Sequence, residues 1–243
     1  MLRLTTLLLL CAIGAPVSAL TFFTENNPPM NFRVNGKITG SSTEVVTEMA
    51  KRAGLPVDIV MMSWNEGYAR AKDGVDACIY STVRRPDRFK LFQWVGPIGR
   101  GRYSAFSLEG FEPKLARVDD LKSFRIGVVD DARAAYMRQR GFPNLFTASV
   151  DTDNPPKLTL DPLKPGGIDI WVTQTLGAPA MAKEAGVKAI KEVFADILSQ
   201  DYWLACNLQV PPETIRALTG ALQDMQKDGS LKKLAEPTPY LAP

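Results

Sequence analysis

Ala77-Cys78-Ile79-Tyr80-Ser81-Thr82-Val83-Arg84-Arg85-Pro86-Asp87-Arg88 is an apolar run that breaks into a cluster of three arginines, and the segment Phe92 to Pro97 follows it. Ala77 to Tyr80 has the length of a buried strand bounded by polar residues. Guanidinium groups keep their proton and present a planar fork of donors that matches a carboxylate or phosphate, so three of them beside a strand end read as an anion clamp. The plain alternative is a solvated basic turn, the ordinary fate of an arginine taken alone.

Working outward, the strand closes a β-α-β-α-β run. Leu20 to Thr24 is the first strand, followed by a polar loop through Asn26, Asn27, Pro28 and Pro29. Ser41 with Glu44 forms a capping-box pattern that opens a helix whose Val45, Val46, Met49 and Ala50 share a face, and Gly54 ends it. A strand from Val57 to Met62 and a short helix from Asn65 to Lys72 come before the quoted stretch. Such an order implies a largely parallel sheet with helices on its faces. A second run of the same kind has strands at Phe124 to Val129, Ile168 to Val172 and Ala189 to Val193, with helices from Ala132 to Arg140 and Pro179 to Ala185. Two α/β units predict two lobes. Arg102 to Leu108 and Tyr202 to Leu208, both alternating and aromatic, read as paired linker strands. A last helix carries Ile215, Leu218, Leu222 and Met225 on one face, a shorter one follows from Ser230, and the pair is expected to return to the first lobe.

Composition limits what this frame can do. The 243 residues are 45% hydrophobic and 23% charged, an ordinary globular balance, with a formal net charge of only +3. That charge and the absence of a Lys/Arg-rich block argue against nucleic acid as a partner. There is no histidine at all, which removes His-based nucleophile schemes and most zinc sites with nitrogen ligands. With no Cys-x-x-Cys pair or calcium-loop spacing either, no metal or organic cofactor is implied. Residues 1–19 read as a secretory signal peptide: Arg3, an apolar stretch from Leu7 to Val17, then Val17-Ser18-Ala19 ahead of a cleavage point. Cys11 follows Leu10 inside the apolar run, which does not fit a lipoprotein signal. The mature chain is then expected outside the cytoplasm, in the periplasm. Its two cysteines, Cys78 and Cys206, lie in apolar strand-like runs; one disulfide is permitted there, but two buried thiols are the favoured expectation.

Several local patterns, in order, resemble the bacterial extracellular solute-binding proteins of family 3, the periplasmic receptors for polar amino acids. They are Pro28-Pro29-Met30-Asn31 with Gly36-Lys37-Ile38-Thr39-Gly40, Trp64 with Gly74-Val75-Asp76, and Arg84 to Arg88 leading into Phe92, Trp94 and Gly96-Pro97-Ile98. Asp120-Leu121-Lys122, Gly167-Ile168-Asp169 and Asp228-Gly229-Ser230-Leu231-Lys232 continue the match. The resemblance implies an α/β, two-lobe, type II periplasmic-binding-protein fold with two crossing hinge strands and a ligand cleft between the lobes. On this reading lobe 1 takes 20–103 and 205–243, and lobe 2 takes 104–204.

Carried over, Arg88 holds a ligand α-carboxylate, Trp64 is an aromatic wall, and Ser81 and Thr82 supply polar groups at the strand end. The second lobe departs from the family pattern twice. Asp131-Ala132-Arg133 stands where the family has Gly and then Ser or Thr, and Gln174 stands where an acidic residue pairs with the ligand ammonium. Losing that charge-assisted bond weakens amino-acid binding by roughly 1.5–3 kcal/mol. Arg133 then enters as a second cation, favouring a carboxylate without an amine, or is an exposed helix-face arginine. Glu25 and Asp130 remain as ammonium partners.

The expected function is capture of a small polar or anionic ligand, an amino acid or related carboxylate, by a monomer that delivers it to the membrane permease complex of an ABC transporter, without catalysis. Two alternatives stand beside it. One is a sensory or accessory binding protein with no dedicated permease. The other is an enzyme like the periplasmic cyclohexadienyl dehydratases, with Glu25, Asp130 or Asp131 as its acid.

Overall fold

The computed structural model describes residues 20–160 and 165–237, so the signal peptide expected over 1–19 lies outside the described residues. Strand β1 (Thr21–Thr24) leads through a polar loop into the hairpin β2 (Phe32–Val34) and β3 (Lys37–Thr39). Asn35 and Gly36 both have positive φ at its turn, the geometry that Asn-Gly favours. Helix α1 (Ser41–Arg52) follows, then β4 (Asp58–Met61), α2 (Trp64–Asp73), β5 (Ala77–Val83) and a 3-10 turn at Pro86–Arg88. The long β6 (Gln93–Leu108) leads to β7 (Ile126–Val129), α3 (Ala132–Gln139), β8 (Leu145–Ala148) and α4 (Pro155–Leu158). Then come β9 (Ile170–Gln174), α5 (Ala178–Glu184), the long β10 (Ile190–Cys206), α6 (Pro212–Lys227) and α7 (Ser230–Ala235).

Eight strands form one curled sheet in the order β4-β1-β5-β10-β6-β9-β7-β8. The flanking triplets β4-β1-β5 and β9-β7-β8 are parallel, as the helical crossovers require. Between them β10 and β6 pair antiparallel, from Cys206↔Gln93 to Ile190↔Leu108, with register shifts on the way. The two α/β halves are therefore two lobes of one sheet, crossed by two strands.

Each half is packed on both faces. In β1, Phe22 joins a core cluster with Val45 and Met49 of α1 and Leu218, Leu222 and Met225 of α6, while Phe23 turns the other way to Trp64 and Ile79. Burial of each large apolar side chain contributes about 1.5–3 kcal/mol, which is why a strand buried on both faces reads as one unbroken apolar run. In the other half, Ile126 and Val128 pack with Met137 of α3, and Trp171 packs with Met181 of α5.

Three expectations change. The strand at Ala189 to Val193 and the linker at Tyr202 to Leu208 are one 17-residue strand, β10. Its middle mixes apolar and polar residues and carries register shifts against β6, so simple alternation hides its continuity. The capping box is not made: Gly40 is the N-cap of α1, Ser41 Oγ donates to Met30 Sδ at 3.2 Å, and Glu44 accepts from Thr39 Oγ1 at 3.1 Å. Cys78 and Cys206 are a disulfide rather than two thiols, because β5 and β10 place them directly opposite each other with Cα atoms 3.9 Å apart. Local sequence shows that both are buried but cannot show that they face one another.

Candidate functional site

The cleft lies where the two lobes meet the crossing strands. It is lined by Glu25 and Asn27 after β1, Trp64 of α2, Ser81 and Val83 of β5, and Arg88. Asp131 and Ala132 at the start of α3, with Tyr103 and Tyr202 from β6 and β10, complete it. The cavity has a volume of about 10 Å³, room for one water at most, so the lobes stand closed on it. Gly177, before α5, approaches Pro28 so closely that a Cβ at that position would lie 2.2 Å from the Pro28 carbonyl oxygen.

The three arginines part company. Arg85 pairs with Asp87 at 2.7 Å, and Arg84 lies exposed over the rings of Phe89 and Trp203, each 5.1 Å away. Arg88 alone turns inward. It is 6% exposed, sits over Trp64 at 5.2 Å and Tyr68 at 5.0 Å, and makes one long hydrogen bond, to the Val83 carbonyl at 3.4 Å. Burial, and then Arg85, pull its pKa down, which marks a cation short of compensating charge. Such a group is chemically suited to pair with an anion.

Ser81 sits beside it in the left-handed region, φ 56°, an uncommon state for a residue with a Cβ. Its hydroxyl donates to Asn31 Oδ1 at 2.5 Å, and Asn31 Nδ2 donates to the Glu25 carbonyl at 2.6 Å, tying the loop after β1 to the end of β5. Thr82 does not line the cleft: it is fully buried and its hydroxyl donates to the Ile79 carbonyl at 3.2 Å. The register of β5 against β10 shifts at this point, and Ser81 and Val83 line the cleft while Thr82 does not.

On the other lobe the expectation for Arg133 is corrected. It is neither an exposed arginine nor a second cation facing the cleft: it is 2% exposed and clamped by Asp131 at 2.7 Å and Asp151 at 2.5 Å, with Tyr103 stacked at 5.3 Å. Burial alone would push its pKa down, but the two carboxylates outweigh that and hold it well above the ordinary value. One guanidinium between two carboxylates leaves this buried group one net negative charge. Gln174 also stands away from the cleft lining, donating from Nε2 to the Tyr202 hydroxyl at 2.9 Å. Tyr103 and Tyr202 bond to each other through their hydroxyls. Asp130 is on the surface, paired with Arg138 at 2.8 Å.

Glu25 faces the cavity, 9% exposed, with no hydrogen bond to its carboxylate among the described residues. Burial foremost, then Asp131 and Asp151, push its pKa up to about 8, against the opposing pull of Arg133 and Arg88. Of the expected residues, Glu25, Trp64, Ser81 and Arg88 line the cleft, and Thr82, Arg133 and Gln174 do not. Tyr103 and Tyr202 were overlooked as lining residues, although their place in aromatic strands that cross between lobes was the available signal. Among the described residues no cluster of His, Cys, Asp and Glu could hold a metal ion. A larger, open groove of about 740 Å³ also borders β6 and β10. Arg100, Arg102 and Lys232 line it together with Glu192, Asp196, Asp201 and Glu236, and Arg100 pairs with Asp201 at 2.7 Å.

Residues 20–237 match the family model for bacterial extracellular solute-binding proteins, family 3. The chain is 25% identical to the L-cystine-binding protein TcyJ of Escherichia coli K12 over 215 residues, 86% of this chain and 77% of that protein. Against the L-cystine-binding protein TcyA of Bacillus subtilis 168 the identity is 22% over 203 residues, 82% and 72% of the two chains. Among solved structures, a histidine kinase sensor domain with similarity to periplasmic binding proteins superposes with a TM-score of 0.78 at 19% identity, covering 89% of this chain and 94% of that one. An ancestral arginine-binding protein bound to arginine superposes at 0.73 and 21% identity, covering 90% and 96%. At these identities the superpositions speak for the fold.

Proposed function

Because the chain belongs to the bacterial extracellular solute-binding proteins, family 3, we propose that it captures a small polar solute bearing a carboxylate, an amino acid or related acid, between its lobes. The single observation that carries this is Arg88: a buried guanidinium, stacked on Trp64 and Tyr68, held by one long bond and facing a closed cleft. A bidentate carboxylate supplies the missing compensation, and the exclusion of water on closure strengthens it. Ser81 and Trp64 border the same space. The solute is delivered to the permease complex of an ABC transporter by a monomer exported to the periplasm. Lobe 1 (20–103 with 205–243) and lobe 2 (104–204) close about β6 and β10, and no group turns the solute over.

A second reading, a sensory or accessory binding protein without its own permease, is favoured by the similarity to the histidine kinase sensor domain. Permease and ATPase genes beside the gene favour transport, and a neighbouring sensor gene favours the second reading. The site itself is tested by thermal shift of the purified protein with amino acids, mono- and dicarboxylates and amines. A binder should raise the melting temperature by mass action, and Arg88→Ala should abolish the rise. A full set of shifts surviving Arg88→Ala would remove Arg88 as the receptor. Turnover of prephenate or arogenate would replace the binding reading by that of a dehydratase.

A further inference from the structure

We propose that a proton on Glu25 draws the two lobes together, so that pH sets how far the ligand-free protein stands open. The inference rests on the lobes closing about β6 and β10 over the cleft.

The charges that meet at the closed cleft balance only with that proton. Glu25 comes from the loop after β1 and Asp131 heads α3, so closing carries carboxylates from opposite lobes to one cavity of about 10 Å³. Glu25 is nine-tenths buried there, and among the described residues nothing hydrogen-bonds its carboxylate. From the first lobe it faces Arg88, in the 3-10 turn after β5. The crossing strands add the hydroxyls of Tyr103 and Tyr202, both kept neutral by burial. From the second lobe comes Asp131, backed by Arg133 and Asp151, a trio that keeps one net negative charge. Arg88 offsets that charge and no more. An ionised Glu25 therefore leaves the closed cleft one anion in excess, in a space with room for one water at most, and a protonated Glu25 leaves it neutral.

Burial, and then Asp131, push the Glu25 pKa up to about 8, which acts in the same direction. Opening returns Glu25 to water, where the ordinary value of 4.5 applies, so the closed form holds a proton that the open form releases. The ratio of closed to open molecules should then fall by up to about tenfold for each pH unit between 4.5 and 8, roughly a thousandfold from pH 5 to pH 9. A solute enters only when the lobes part, so acid closure competes with capture.

Small-angle scattering of the purified ligand-free protein at pH 5 and pH 9 tests this beside two variants. Glu25→Gln keeps the shape of the protonated acid and should stay compact at both values. Gly177→Ala sets a Cβ 2.2 Å from the Pro28 carbonyl oxygen across the lobes and should stay expanded at both. The native radius of gyration should match the first variant at pH 5 and move toward the second at pH 9. A native radius that ignores pH, or one that moves equally in Glu25→Gln, overturns proton control, and a difference between the two variants then leaves lobe closure standing. Identical radii for both variants at both values overturn closure as well. No solute enters the test, so a failed thermal-shift screen bears on the proposed function alone.

Discussion

Glu25 makes the cleft sensitive to pH with a definite sign. Its pKa rises from an ordinary 4.5 to about 8 in the folded protein, so between those values the native state holds a proton that the unfolded chain has lost. The stability this contributes is present in full below pH 4.5 and disappears as pH rises through about 8. Thermal or denaturant unfolding of the ligand-free protein should therefore show stability falling from pH 5 to pH 8 by up to about 1.4 kcal/mol per unit, a slope that Glu25→Gln flattens. An unchanged slope in that variant would assign the effect elsewhere. The arginine block was legible in the sequence as a cluster of fixed cations beyond a strand end, while Arg88 itself was singled out only by resemblance to the family. The orientation of Thr82 was not legible, because the left-handed Ser81 and a register shift against β10 interrupt simple alternation at that point of β5. Arg133 was not legible, since its partner Asp151 lies on a different element and only folding brings the two carboxylates onto one guanidinium.

Among the elements, the turn before α5 and the pairing of β5 with β10 carry the sharpest consequences. Gly177 has φ −88°, which any residue adopts, so Gly177→Ala strains no backbone. Its new Cβ would instead meet the Pro28 carbonyl at 2.2 Å, across the closed lobes. The variant should fold normally yet bind its solute roughly tenfold or more weakly, since overpacking of about 1–3 kcal/mol falls on the closed form alone. An unchanged dissociation constant would show that binding does not need this approach. The Cys78–Cys206 bond joins residues 128 apart in the chain. In the chain-entropy description a crosslink over that span stabilises by about 5 kcal/mol. Replacing both cysteines by alanine should lower denaturant stability by several kcal/mol without altering solute affinity, because both are buried in the core beneath α1 and α6. The β-α-β runs were readable from alternating apolar patterns and helix stops. The β2–β3 hairpin was marked by Asn35-Gly36 and overlooked, while the length of β10 was hidden because its middle crosses between lobes without a continuous apolar face.

At the scale of the whole molecule, a cavity of about 10 Å³ cannot admit an amino acid, so entry requires the lobes to part. Small-angle scattering should show a larger radius of gyration for the ligand-free protein than for the protein saturated with its solute. Equal radii would argue that the unliganded molecule already stands closed, with only brief opening. The sequence by itself determined the two α/β units, the apolar face of the C-terminal helix, the absence of histidine chemistry and the arginine block, because each of these is written in local periodicity and residue type. Only the tertiary structure decided which arginine faces the cleft, which acids meet it, and that the two buried cysteines are joined. Those outcomes depend on contacts between residues far apart in the chain, and they come into being when β6 and β10 fold the two lobes against one another.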